Sequence, residues 1–273
     1  MAAKMTWPDL LDRPHPKADA RIAYGADPLQ HADLWLPKGK ARGIVLMVHG
    51  GCWQTRIAKA DIMDWIADDL RSRGIAVWNV EYRGVDVPGG GYPGTFQDVA
   101  AGADALRDVA AKHHLPIDRV VAVGHSAGGH LILWLTARGA VPATSALHAD
   151  NPLAIRAAVS LGGLPDLEAA SAPPGNTCGT EAVEKLVGAA SPQRPDPYAD
   201  TSPARLPQPA MPITLVNGGE DRIAPPAFAE AYALRVGSKP KRILVAEVGH
   251  VELIAPETPA WKQAVGAIEA ALH

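Results

Sequence analysis

From about residue 43 onward, short apolar runs alternate with stretches in which apolar residues recur every three or four positions. That alternation predicts parallel β-strands joined by crossover helices. The runs fall at Gly43 to Val48, Ile75 to Tyr82, Arg119 to Gly124, Ile155 to Leu161, Ile213 to Asn217 and Arg242 to Val248. Most are too apolar for half-exposed strands, so both faces of the sheet are expected to be covered. Two earlier segments, Arg21 to Tyr24 and Ala32 to Leu36, read as a leading antiparallel pair at one edge. Between the runs, Ile62, Ile66 and Leu70 repeat on one helical face, as do Phe96, Val99, Ala103 and Leu106, which gives two amphipathic surface helices. His130 to Ala137 is apolar nearly all round, as suits a buried helix. Thr95 and Asp98 have capping-box spacing, and Thr258 followed by Pro259 suits an N-cap and first helical position. One stretch, Pro165 to Pro212, breaks the rhythm: it is rich in Pro, Ala and Ser, with a single short helical pattern around Glu181 to Val187. It is too long for a plain connection and is expected to form a small cap or pocket wall at the carboxyl edge of the sheet. The whole chain, 1–273, reads as one α/β domain, a mostly parallel doubly wound sheet with that insertion inside it.

Composition narrows the partners. A net charge of -3, with 20% charged and 47% hydrophobic residues, argues against a nucleic-acid groove or a membrane-surface patch and for a small-molecule partner. The histidines are scattered, and the one close pair, His113 with His114, cannot face a single point on a helix, so neither a metal nor a cofactor is expected. Two cysteines, Cys52 and Cys178, are too few for a disulfide framework and read as free thiols in a reducing compartment. The N-terminal MAAKMTWPDLLDRPHPK has no apolar targeting core, and no early run approaches the length of a membrane span. A soluble, cytoplasmic protein is the resulting expectation. Nothing in the sequence speaks to oligomeric state.

Residues Gly124 to Gly129 read Gly-His-Ser-Ala-Gly-Gly where a β-branched run gives way to an apolar helix. A serine on such a strand-to-helix turn projects its Oγ out of the sheet, and the flanking glycines permit the tight turn. A serine hydroxyl needs a base to take its proton and a carboxylate to orient that base. Asp221 follows one predicted strand in Asn217-Gly-Gly-Glu-Asp221, and His250 follows the last in Val248-Gly-His250. Each lies beyond the carboxyl end of its own strand, in the chain order Ser, Asp, His, and the neighbouring Glu220 is the competing acid. His49-Gly50-Gly51-Cys52-Trp53 follows the strand Gly43 to Val48, where glycines let backbone amides converge. The amides of Gly51, Cys52 and Ala127 are the expected donors to an oxyanion. Cys52 reads as a small shielded hydrophobe or as a thiol facing the reaction centre. Trp53 reads equally as a pocket wall or as packed core, and His125, beside the serine, as a pocket residue.

Taken together, His49-Gly50-Gly51-x-Trp53, Glu81-Tyr82-Arg83, Gly124 to Gly129 and the Asp221 and His250 turns resemble the α/β-hydrolase superfamily from about residue 20 to the end. Within it they are similar to the branch holding hormone-sensitive-lipase-like carboxylesterases and kynurenine formamidases. Cys52 stands where the lipase-like esterases carry a third Gly, and the His-Gly-Gly-x-Trp form is that of the formamidases. The resemblance implies an α/β-hydrolase fold and a serine hydrolase that cleaves a small to medium neutral ester through an acyl-enzyme. Amide substrates, as for an arylformamidase or an acyl-peptide hydrolase, are the alternative, and a non-catalytic binding protein on the same fold is the remote one.

Overall fold

The computed structural model describes residues 4–236 and 240–273. Eight strands form one sheet: β1 (Ala20–Ala23), β2 (His31–Trp35), β3 (Ile44–Val48), β4 (Ala76–Val80), β5 (Val120–His125), β6 (Ala157–Leu161), β7 (Ile213–Gly218) and β8 (Lys241–Val245). Their spatial order is β1-β2-β4-β3-β5-β6-β7-β8. The first two pairings are antiparallel and the other five parallel. Each predicted run is therefore a strand, and the leading pair lies at the predicted edge.

Two-residue periodicity explains why the central strands are apolar throughout. Ile44, Leu46 and Val48 of β3 and Val120 and Ala122 of β5 point into one core, while Val45, Met47, Val121 and Val123 point into the other. The first core is covered by α3 (Gly94–Lys112) and α4 (Ala127–Ala137) through Phe96, Val99, Leu106, Leu131 and Trp134. The second is covered by α2 (Asp64–Ser72) and α8 (Pro259–Leu272) through Ile66, Leu70, Trp261 and Ile268. Thr258 caps α8 by accepting a hydrogen bond from the Trp261 amide at 3.2 Å. The edge strands β1 and β8 are not fully buried, because among the described residues nothing pairs the outer edge of either, and in β8 Leu244 is 63% exposed. Strand β8 also ends at Val245, three residues short of the predicted run, where Glu247 takes a positive φ.

Other expectations need correction. Thr95 and Asp98 form no capping box, because α3 starts at Gly94 and both side chains are taken by distant partners. The Thr95 hydroxyl donates to the Arg83 carbonyl at 2.6 Å, and the Asp98 carboxylate accepts from the Arg83 guanidinium at two points, from the Arg83 amide and from Gln30. The insertion from 165 to 212 carries α5 (Leu167–Ser171) and a short 3-10 turn (Pro203–Arg205) besides the expected α6 (Thr180–Val187). Helices α1 (Trp7–Leu11) and α7 (Pro226–Arg235) lie outside every predicted pattern.

The largest correction concerns the cysteines. Cys52 and Cys178 form a disulfide across a sequence separation of 126, with Cα atoms 5.2 Å apart. Cysteine counting cannot detect that the insertion folds back onto the loop after β3. The reading of both as free thiols is overturned, and with it the argument for a reducing compartment, since disulfides are rare in the cytosol. Among the described residues, no helix is long and apolar enough to cross a membrane.

Candidate active site

Ser126 is the single residue between β5, ending at His125, and α4, starting at Ala127. It takes φ 53 and ψ -120, a conformation that costs a non-glycine residue about 1–3 kcal/mol and persists only where the surroundings enforce it. Two glycines make that turn possible. A methyl group at Gly124 would sit 2.2 Å from the Gly128 carbonyl oxygen, and one at Gly128 would sit 2.0 Å from the Val48 oxygen. The Ser126 amide donates to the Leu161 carbonyl at 2.8 Å, which ties the turn to β6.

The turn after β7 holds Asp221, whose Oδ1 accepts the amides of Ile223 and Ala224 at 2.8 and 2.9 Å. Its other oxygen, Oδ2, lies 2.6 Å from Nδ1 of His250. An ionised aspartate there requires the proton on Nδ1 and leaves Nε2 as an acceptor. Ser126 and His250 line one cavity of about 320 Å³. Among the described residues no hydrogen bond joins the Ser126 hydroxyl to His250; such contacts commonly tighten only when a ligand is bound. Glu220 points elsewhere and pairs with Lys4 at the surface.

The loop after β3 approaches the serine from the other side. Gly51, Cys52 and Trp53 all hold positive φ, and Gly51 and Cys52 line the cavity. Among the described residues, the backbone amides of Gly51, Cys52 and Ala127 donate to no other group. His49, at the head of this loop, is held by Glu81 at 2.9 Å and stacks on Tyr82 with ring centroids 4.3 Å apart. Burial pushes the Glu81 carboxyl up. The adjacent His49, with hydrogen bonds from His49 and the amides of Ala60 and Tyr82, outweighs that and holds it below the ordinary value.

The predicted pocket residues separate. His125 lines the cavity; its Nε2 lies 3.2 Å from the His250 carbonyl, and burial, reinforced by His250, pushes its pKa well below the ordinary value. Trp53 does not reach the cavity. Its indole is fully buried and donates to Nδ1 of His130 at 3.2 Å, so it is core packed behind the loop. The remaining walls are Trp7, Leu11, Ile57, Ala58, Ile62 and Ile223, none of which sequence reasoning assigned to the site. Trp7 and Leu11 come from α1, too short to show periodicity, and only the Thr6 and Asp9 pair marks its start. The 165–212 insertion supplies no cavity-lining residue and reaches this region through Cys178, bonded to Cys52.

The BD-FAE family's sequence pattern matches residues 32–234, which takes in Ser126, Asp221 and the loop after β3. The chain belongs to the BD-FAE family. This BD-FAE protein carries the α/β-hydrolase fold. It is 27% identical over 241 residues to Esterase LipC of Mycobacterium tuberculosis, a match covering 85% of this chain and 57% of that relative. The chain thus spans little more than half the length of that curated relative. Among solved structures, a truncated carbohydrate esterase from gut microbiota superposes with a TM-score of 0.73 at 21% identity, covering 94% of this chain and 97% of that one. Thermogutta terrifontis esterase 2, phosphoramylated by tabun, superposes with a TM-score of 0.71 at 17% identity over 96% and 94% of the two chains.

Proposed function

We propose that this BD-FAE protein is a serine carboxylesterase for small, neutral esters, with Ser126 as nucleophile, His250 as base and Asp221 as the acid that orients it. The observation that carries this reading is the strained Ser126 turn sharing a cavity with a histidine whose Nδ1 is 2.6 Å from a carboxylate. In the acylation step Nε2 of His250 takes the Ser126 proton as Oγ bonds to the ester carbonyl carbon. The carbonyl oxygen becomes an oxyanion held by the amides of Gly51, Cys52 and Ala127. Collapse of that intermediate breaks the ester bond, and His250 returns the proton to the leaving alcohol. Water then repeats the sequence on the acyl-enzyme, releasing the acid and restoring Ser126.

The esterase names of LipC and of the two structural neighbours support this class. Among the described residues the cavity lining includes no Lys, Arg, Asp or Glu to anchor a peptide terminus. An ester is therefore favoured over an aminoacyl amide. In the test, Ser126→Ala should lower turnover of a short p-nitrophenyl ester by about 10⁶-fold. It should also abolish labelling by a fluorophosphonate. Hydrolysis by the variant at the wild-type rate would refute the assignment, and faster turnover of N-formylkynurenine than of any ester would move it to a formamidase.

A further inference from the structure

Helix α1 is built onto the loops that carry Asp221 and His250. Lys4, three residues before the helix, pairs with Glu220, the neighbour of Asp221. The Met5 amide donates to Oε1 of Glu252 at 2.9 Å, and Oε2 of the same carboxylate accepts the amide of Gly249, the neighbour of His250. After the helix, Arg13 pairs with Glu257, and Leu10 is fully buried in the core beneath α8. With the helix so fixed, the Trp7 ring meets His250 and His125 edge-on, at centroid separations of 6.4 and 6.3 Å. Trp7 and Leu11 thus stand as one side of the cavity, with Gly51, Ile57, Ala58 and Ile62 among the residues completing it.

Resting on the serine-esterase reading, we infer that Trp7 is a specificity-determining residue whose indole limits the length of apolar group that can lie beside Ser126. The cavity is only about 320 Å³, near the lower end for small-molecule sites, and the indole is its largest side chain. Trp7 is only partly buried and packs against the second core without belonging to it, so truncation opens the cavity while the fully buried Leu10 still anchors α1. The substrate class that follows is an ester with a short acyl chain.

The test compares wild type, Trp7→Ala and Trp7→Phe on p-nitrophenyl acetate, butyrate, hexanoate and octanoate. Trp7→Ala should raise the ratio of kcat/KM for hexanoate to that for acetate by about 10-fold or more, chiefly through a lower KM for the longer ester, with Trp7→Phe in between. The rates at which alkyl fluorophosphonates of increasing length label Ser126 should shift in the same direction. A chain-length ratio unchanged within about 2-fold in Trp7→Ala, with Ser126 still labelled, would overturn this inference and leave the esterase reading intact. A wild-type protein that neither hydrolyses any ester nor reacts with a fluorophosphonate would overturn the esterase reading itself.

Discussion

At the scale of the residue, position was legible where a residue followed a strand. Ser126, Asp221 and His250 were assigned because each comes just after an apolar run, and the fold does bring Asp221 and His250 into contact. Residues whose environment depends on remote partners were not legible. Asp64 is the sharpest case. Its carboxyl, at the start of α2, is pushed up to about 8, first by burial and then by Asp33 and Asp61, against the opposing pull of Arg21. His15 also faces it, with Nδ1 3.6 Å from Oδ2. In the unfolded chain the same carboxyl loses its proton near about pH 4. Between those values the folded state holds the extra proton, so the group's contribution to stability is present at low pH and lost as pH rises through about 8. Asp64→Asn should therefore stabilise the protein more at pH 9 than at pH 5, as read by denaturant unfolding at both. An equal shift at the two pH values would contradict the burial argument.

At the scale of the element, long periodic segments were readable and short ones were not. All eight strands and helices α2, α3 and α4 follow from their apolar pattern, whereas α1 and α5 have five residues each, too few to express one, and the ten-residue α7, with only Ala229 and Tyr232 buried, carries no clear apolar stripe. The insertion's role was also hidden, because its tie to the rest of the chain is covalent and not patterned. Its link from Cys178 to Cys52 closes a loop across more than a hundred residues. Constraining the unfolded chain over such a span typically contributes about 2–4 kcal/mol. Replacing Cys178 with Ser should lower the unfolding free energy by about that amount, and thiol titration under denaturing conditions should find no free thiol in the wild type and one in the variant. Two free thiols in the wild type would remove the basis for this prediction. A second consequence belongs to the same element. Cys52 holds a positive φ in the loop that shares a cavity with Ser126, so the bond braces that loop from the insertion's side.

At the scale of the whole molecule, buried ionisable groups set opposing slopes. Burial lowers the pKa of His130 to about 4, and that of His125 well below its ordinary value. Unfolded histidines take up protons near about pH 6.5, so the native state loses stability as pH falls from there toward about 4. Asp64 acts in the other direction as pH rises. Stability should therefore peak near neutrality or slightly below it, and His130→Asn should flatten the acid side of the profile. Calorimetric unfolding from pH 4 to 9 would reveal the maximum, and a monotonic rise from pH 4 to 9 would exclude this balance.

The parallel order of the sheet has a consequence in time. Ser126, Asp221 and His250 stand at the ends of β5, β7 and β8, and β7 and β8 pair with strands that arrive late in the chain. No fragment ending before β8 can hold the histidine against its aspartate. On the proposed triad, reactivity of Ser126 toward a fluorophosphonate should return during refolding only once β8 is in place and His250 lies against Asp221, so labelling reports on the far edge of the sheet as well as on the serine turn.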